Sequence, residues 1–193
     1  MAHPTSKRRR PSKPQRPPIK PLGKDQVASP NVSELQQTLI GKFVVLWAKL
    51  EASLNDMIWV ITGLGLENGR ILTERNDATR QITILLALVE RNIAEDKHPN
   101  GNKEKLLRTL DQIDILRENR NAIIHGSWGE IDGVPVTASL RFKSSNLSEV
   151  VCEAYPPQMM TDICDAVERH IKNLGYFIKA IEASRKTSPP PPS

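Results

Sequence analysis

Cysteine is scarce in this chain, and a covalent or metal-held framework is excluded with it. Cys152 and Cys164 are the only two cysteines among 193 residues. A disulfide scaffold needs several spaced pairs, and a structural zinc site needs about four Cys or His donors. The usage fits a reducing compartment, so a cytoplasmic location is the expectation, with no metal and no cofactor. Long apolar runs are missing too. Nothing approaches the ~20 consecutive apolar residues that cross a bilayer, and the charged start MAHPTSKRRR has no apolar stretch behind it of the kind a secretory leader carries. A soluble protein with no membrane partner is expected.

Acid is absent from the first 24 residues, which hold eight of the 27 bases, Arg8, Arg9 and Arg10 among them. The other 19 bases face all 22 acids, so residues 25–193 carry a net charge of −3 although the whole chain is +5. The basic character therefore belongs to a tail, and a generally basic nucleic-acid-binding face is excluded. Residues 1–30 also contain seven prolines, a composition that cannot bury enough apolar surface to offset its ordering entropy. They read as a disordered basic tail that adds weak, salt-sensitive attraction for RNA through Arg8, Arg9 and Arg10, or as a solubility-tuning end. Residues 185–193, ending in SPPPPS, read as a second solvated segment.

Between these ends, residues 31–184 have the length of one domain. Ser33 and Gln36 match a capping box, and Leu39, Phe43, Leu46, Trp47, Leu50, Leu54, Met57, Ile58 and Ile61 then form one apolar stripe, ended by Gly63 and Gly65. A second helix is predicted from about Asp77, with Ala78, Ile82, Leu85, Leu86, Val89 and Ile93 on one face. A third is predicted from about Asn102 to His125, with Leu106, Leu110, Ile113, Leu116 and Ile124 inward. Over about 127–155 the period shortens around Asp132-Gly133, which predicts an antiparallel β-hairpin or small meander. Pro156-Pro157 closes it. A last amphipathic helix follows with Met160, Ile163, Cys164, Val167, Ile171, Leu174, Ile178 and Ile181 inward. Met159, Met160 and Cys164 sit at core-filling spacing. The expected fold is mainly all-α, a bundle of four to five helices with a small β insertion before the last helix.

The chemistry-bearing segment is Arg117-Glu118-Asn119-Arg120-Asn121-Ala122-Ile123-Ile124-His125-Gly126-Ser127-Trp128. Five residues of regular helix turn through roughly 500°, which leaves Arg120 and His125 about 140° apart. Convergence requires the helix to end at His125, with Gly126 as a left-handed C′ residue, or a second copy across a symmetry axis. A histidine in a last turn sits at the negative end of the helix dipole, which favours the imidazolium and suits a general acid. The Arg120 fork matches phosphate oxygens, and Asn121 can donate or accept without adding charge. An Arg and a His without metal ligands suggest phosphate-ester chemistry. The alternative is structural: Arg120 in an ion pair, Asn121 on a carbonyl, His125 an ordinary last-turn residue.

Arg120-Asn121-Ala122-Ile123-Ile124-His125 is similar to the R-N-x-x-x-H form of the motif of the HEPN superfamily. Its setting at a helix end, behind a long Trp- and Glu-bearing first helix, extends the resemblance over residues 33–183. The resemblance implies a metal-independent endoribonuclease of the toxin or defence type that works as a homodimer, with Arg and His of both chains in one cleft and a protein inhibitor or antitoxin as a further partner. It implies that an RNA 2′-OH attacks the adjacent phosphate to leave a 2′,3′-cyclic phosphate and a 5′-OH. Arg120 would stabilise the phosphoryl oxygens, His125 would transfer a proton, and Asn121 would orient phosphate or imidazole. Members paired with a nucleotidyltransferase often carry a Tyr two residues after the His; Ser127 stands there in this chain, which argues against that pairing. Non-catalytic members imply the alternative, a dimer that binds RNA, a nucleotide or a partner protein. Supporting candidates are Glu51, which could pair with Arg120 or His125 or simply reach solvent, and Arg117, which could extend a phosphate cleft or bridge to Asp114. Trp128 is expected to pack the first strand onto the bundle.

Overall fold

The computed structural model describes residues 32–92, 102–131, 133–142 and 148–187. The tail with Arg8, Arg9 and Arg10, and Ile93 of the second predicted stripe, lie outside the described residues. Five helices and three strands follow in the order α1 (Glu34–Thr62), α2 (Leu66–Thr73), α3 (Ala78–Asn92), α4 (Asn102–His125), β1 (Ser127–Ile131), β2 (Val134–Phe142), β3 (Ser148–Ala154) and α5 (Pro157–Thr187). The architecture is mostly helical, with a small antiparallel sheet before the last helix, as the patterning predicts. No helix among the described residues is long and apolar enough to cross a membrane.

Ser33 Oγ accepts from the Gln36 amide at 3.2 Å and starts α1. The reciprocal half of the predicted capping box does not form. Gln36 is fully buried and its Nε2 donates instead to the Tyr155 carbonyl at 3.1 Å, spanning from the first helix to the end of β3. Gly63, at φ +73°, ends α1 through the left-handed conformation that glycine adopts without Cβ strain. The chain then forms α2, which the patterning does not predict. Its large apolar residues Leu66, Ile71 and Leu72 are exposed, and it buries Gly69 and Thr73. Helix periodicity is sought in apolar residues, so a helix docked by its small face shows no stripe.

The core is one cluster. Phe43, Leu50, Leu54 and Met57 of α1 meet Leu85 and Val89 of α3, Leu110 and Ile113 of α4, and Val167 and Leu174 of α5. Each such burial contributes about 1.5–3 kcal/mol. α1 and α5 run parallel: Lys42 lies 3.9 Å from Asp165 and 3.7 Å from Glu168, and Arg185 donates to the Ile61 carbonyl at 2.9 Å near the far end. That last bond and the helix-favouring Arg185 carry α5 to Thr187, three residues into the stretch 185–193 that composition assigns to the tail. In α4 the inward residue is Ile123, seven after Leu116, while Ile124 is half-buried. Cys164 is a buried free thiol, and burial raises its pKa. Met160 is fully buried and Met159 half-buried, so this segment fills core. The Cys152 side chain lies outside the described residues.

His170 interrupts the apolar face of α5. It is 5 % exposed, its Nδ1 has no partner among the described residues, and burial, with Arg169 nearby, pulls its pKa down to about 4. The insertion is a β1-β2-β3 meander with Ile131 opposite Val134, turned through Gly133 at φ +76°. β3 then registers Ala154 against Val136, and the Tyr155 amide donates to the Pro135 carbonyl.

Candidate active site at the end of helix α4

α4 remains helical through His125, and the sheet begins two residues later. The 140° separation does not keep Arg120 and His125 apart, because the four-bond arginine stem carries its guanidinium across. Nη1 of Arg120 lies 2.9 Å from Nε2 of His125 and donates to Oδ1 of Asn121 at 3.2 Å. The three predicted catalytic residues thus meet within one chain, and no second copy is needed for the contact. His125 and Asn121 are exposed while Arg120 is half-buried. Arginine only donates, so a hydrogen bond in this contact has Nε2 as its acceptor. The Nε–H of Arg120 is buried with no partner among the described residues.

Gly126 does not adopt the left-handed C′ conformation the sequence suggests; Gly63 and Gly133 are the positive-φ glycines among the described residues. Its amide still donates to the Ala122 carbonyl at 3.0 Å. What requires glycine here is space, since a Cβ would stand 2.5 Å from the Ala122 oxygen and 2.9 Å from Thr137 Cβ on β2. The strand therefore presses directly on the helix end. Trp128 completes the junction as predicted. Its indole Nε1 donates to the Ile123 carbonyl at 2.8 Å, satisfying one of the open carbonyls of the last turn, and its ring meets Tyr155 edge-on at 5.8 Å.

The two supporting candidates are placed elsewhere. Arg117 Nε pairs with Asp114 Oδ1 at 2.9 Å, one turn back on the same helix. Glu51 accepts from the Trp47 indole at 2.8 Å, and its carbonyl accepts from Gln81 at 3.3 Å. Among the described residues no hydrogen bond or ion pair joins Glu51 to Arg120 or His125, because α1 packs chiefly on α5 and α3 and barely touches α4. Sequence reasoning missed a second polar locus between α1 and α2, around Trp59. The available signal was the pair Asn55-Asp56 one turn before a tryptophan off the apolar stripe. No group of three or more His, Cys, Asp or Glu side chains among the described residues is placed to hold a metal. Comparison of the chain with protein-family models, with curated proteins and with solved structures finds no match.

Proposed function

We propose that the chain is a metal-independent endoribonuclease of the HEPN type, acting through Arg120, Asn121 and His125. The observation that carries the proposal is the 2.9 Å contact of Arg120 with His125 beside Asn121, on an exposed helix end. In this reading a phosphodiester draws the Arg120 guanidinium off Nε2 and onto its non-bridging oxygens, where the planar fork stabilises charge as the phosphorus becomes five-coordinate. The freed Nε2 takes the proton of the 2′-OH. The 2′-oxygen forms its bond to phosphorus, the bond to the 5′-oxygen breaks, and that oxygen leaves as a hydroxyl once protonated. One chain supplies one imidazole, which serves as the base. A homodimer that brings two helix ends together supplies a second imidazole as the acid, in a cytoplasmic toxin or defence setting where a protein inhibitor would cover the exposed cleft.

The test is incubation of the full chain with a mixed RNA pool in EDTA, with molecular mass in solution measured alongside. Products ending in 2′,3′-cyclic phosphate, absent from folded His125→Ala and Arg120→Ala proteins, are the expected result. RNA binding that Arg120→Ala weakens, with no cyclic-phosphate ends from any protein, would replace the enzyme with a non-catalytic binding dimer.

A further inference from the structure

The junction of α1 and α2 forms a pocket of about 240 Å³. One wall is the indole of Trp59, and its position is fixed twice. Gly69 lies flat against it, so close that a Cβ would come within 2.6 Å of the ring. Its Nε1 also donates to Thr73 Oγ1 at 3.1 Å, a hydroxyl that donates in turn to the Gly69 carbonyl at 2.9 Å. The rim carries Asn55 and Asp56 from α1, and Arg70 and Glu74 from α2 and its cap. Asn55 Oδ1 accepts from the buried Gln81 amide at 2.8 Å, which leaves the Asn55 N–H groups as its free donors.

The charges on this rim are unpaired among the described residues. Among the described residues Asp56, Arg70 and Glu74 enter no ion pair and no side-chain hydrogen bond, while ion pairs do form elsewhere, as at Lys42 and Arg117. Partial burial of the carboxyl at this exposed position raises the Asp56 pKa above its ordinary value. Two carboxylates against one guanidinium leave a net charge of −1 beside the indole, one face of which Gly69 covers. An indole with carboxylates around it attracts a desolvated cation through both the ring quadrupole and direct charge. A phosphate would meet net repulsion.

We propose that the Trp59 pocket binds a guanidinium or alkylammonium cation, held against the indole by Asp56 and Glu74, with Arg70 and the Asn55 amide favouring a ligand that also bears a carboxylate. The cation has two sources, a free basic amino acid or amine, and a basic side chain of residues 7–24 of this chain, where eight bases face no acid. The inference is independent of the ribonuclease reading, since its readout is binding.

The experiment is calorimetric titration of the full chain with L-arginine, agmatine, which lacks the carboxylate, and L-citrulline, which keeps the α-ammonium and carboxylate but lacks the side-chain charge. L-Arginine should bind, agmatine less tightly, and L-citrulline not measurably. Asp56→Asn, an isosteric change at an exposed position, should weaken L-arginine about tenfold with thermal unfolding unchanged. Arg70→Gln should erase the difference between L-arginine and agmatine. The same titrations with all eight bases of residues 7–24 replaced by Gln separate the two sources. Tighter binding to that protein identifies the tail as the resident cation, and equal binding identifies a free ligand. Equal binding of L-citrulline, an unaffected Asp56→Asn protein, or no binding to either the native or the tail-substituted chain would each overturn the proposal.

Discussion

The end of α4 and the junction of α1 with α2 both place charged side chains at the margin of one helical bundle, and they treat that charge in opposite ways. At α4 the Arg120 guanidinium is occupied from within the chain by His125 and Asn121. Around Trp59, Asp56, Glu74 and Arg70 have no partners among the described residues. A cluster closed on itself through Nη1 must open before it acts, so its chemistry lies in exchanging one hydrogen bond for another. An unpaired cluster has nothing to release. The difference is broken most sharply at His125. If the α4 cluster is the reacting one, His125→Ala should lower RNA cleavage about 10²–10⁴-fold, measured as initial rate of cyclic-phosphate formation. Asp56→Asn should leave that rate within about twofold. A fall in both would mean that the two regions form one site.

A change that acts on both regions together comes from His170. Its folded pKa of about 4 lies below the unfolded value of about 6.5. Between these values the unfolded chain binds the additional proton, so stability is full above about pH 6.5 and declines as pH falls towards 4. The decline reaches about 3 kcal/mol and levels off below that. Urea unfolding at a series of pH values should show this slope, and His170→Leu should flatten it. Both regions should melt with the bundle, because the buried imidazole belongs to the core that carries them.

The two regions also differ in what their glycines hold. Gly126 faces the Ala122 carbonyl and Thr137, so an added Cβ must push backbone away from the helix end. Gly69 faces the indole of Trp59. Gly126→Ala and Gly69→Ala should each cost about 2 kcal/mol in chemical denaturation, as overpacking does. Their functional consequences should separate: the first shifts His125 and lowers cleavage, while the second displaces Trp59 and lowers cation binding only.

These positions also mark how far the sequence could be read. The bundle and its short sheet follow from apolar spacing, whereas Arg120, Asn121 and His125 stand out by residue type and motif resemblance, because spacing alone sets Arg120 and His125 about 140° apart. Arg120 and His125 meet in spite of the angle between them because arginine is long, and a count of degrees per residue omits side-chain reach. α2 stayed hidden because it docks through Gly69 and Thr73 and exposes Leu66, Ile71 and Leu72, inverting the usual stripe. Glu51 could not be assigned from position alone. Its partner is Trp47 on its own helix, one of several groups within a carboxylate's reach. Close approach to a neighbouring element, as at Gly126 and Gly69, leaves no mark in a single sequence beyond the glycine itself.

The smallest expected effect tests that last point. Gly41 lies within α1, and an added Cβ there would meet nothing within 4 Å. Its φ is not in the left-handed region, so alanine fits the helical backbone without strain. Glycine in a helix interior carries excess unfolded-state entropy, and replacing it where the methyl is free should stabilise by about 0.5–1 kcal/mol. Gly41→Ala should therefore raise the denaturation midpoint, opposite in sign to Gly126→Ala and Gly69→Ala. A loss of stability instead would mean that the exposed face of α1 around Val44 and Val45 is packed against something in solution. A second copy of the chain could then be sought through the concentration dependence of the midpoint. Unchanged cleavage and unchanged cation binding in the stabilised protein would place this face of α1 outside both regions, and would fix the cost of the other two glycines as contact rather than helix propensity.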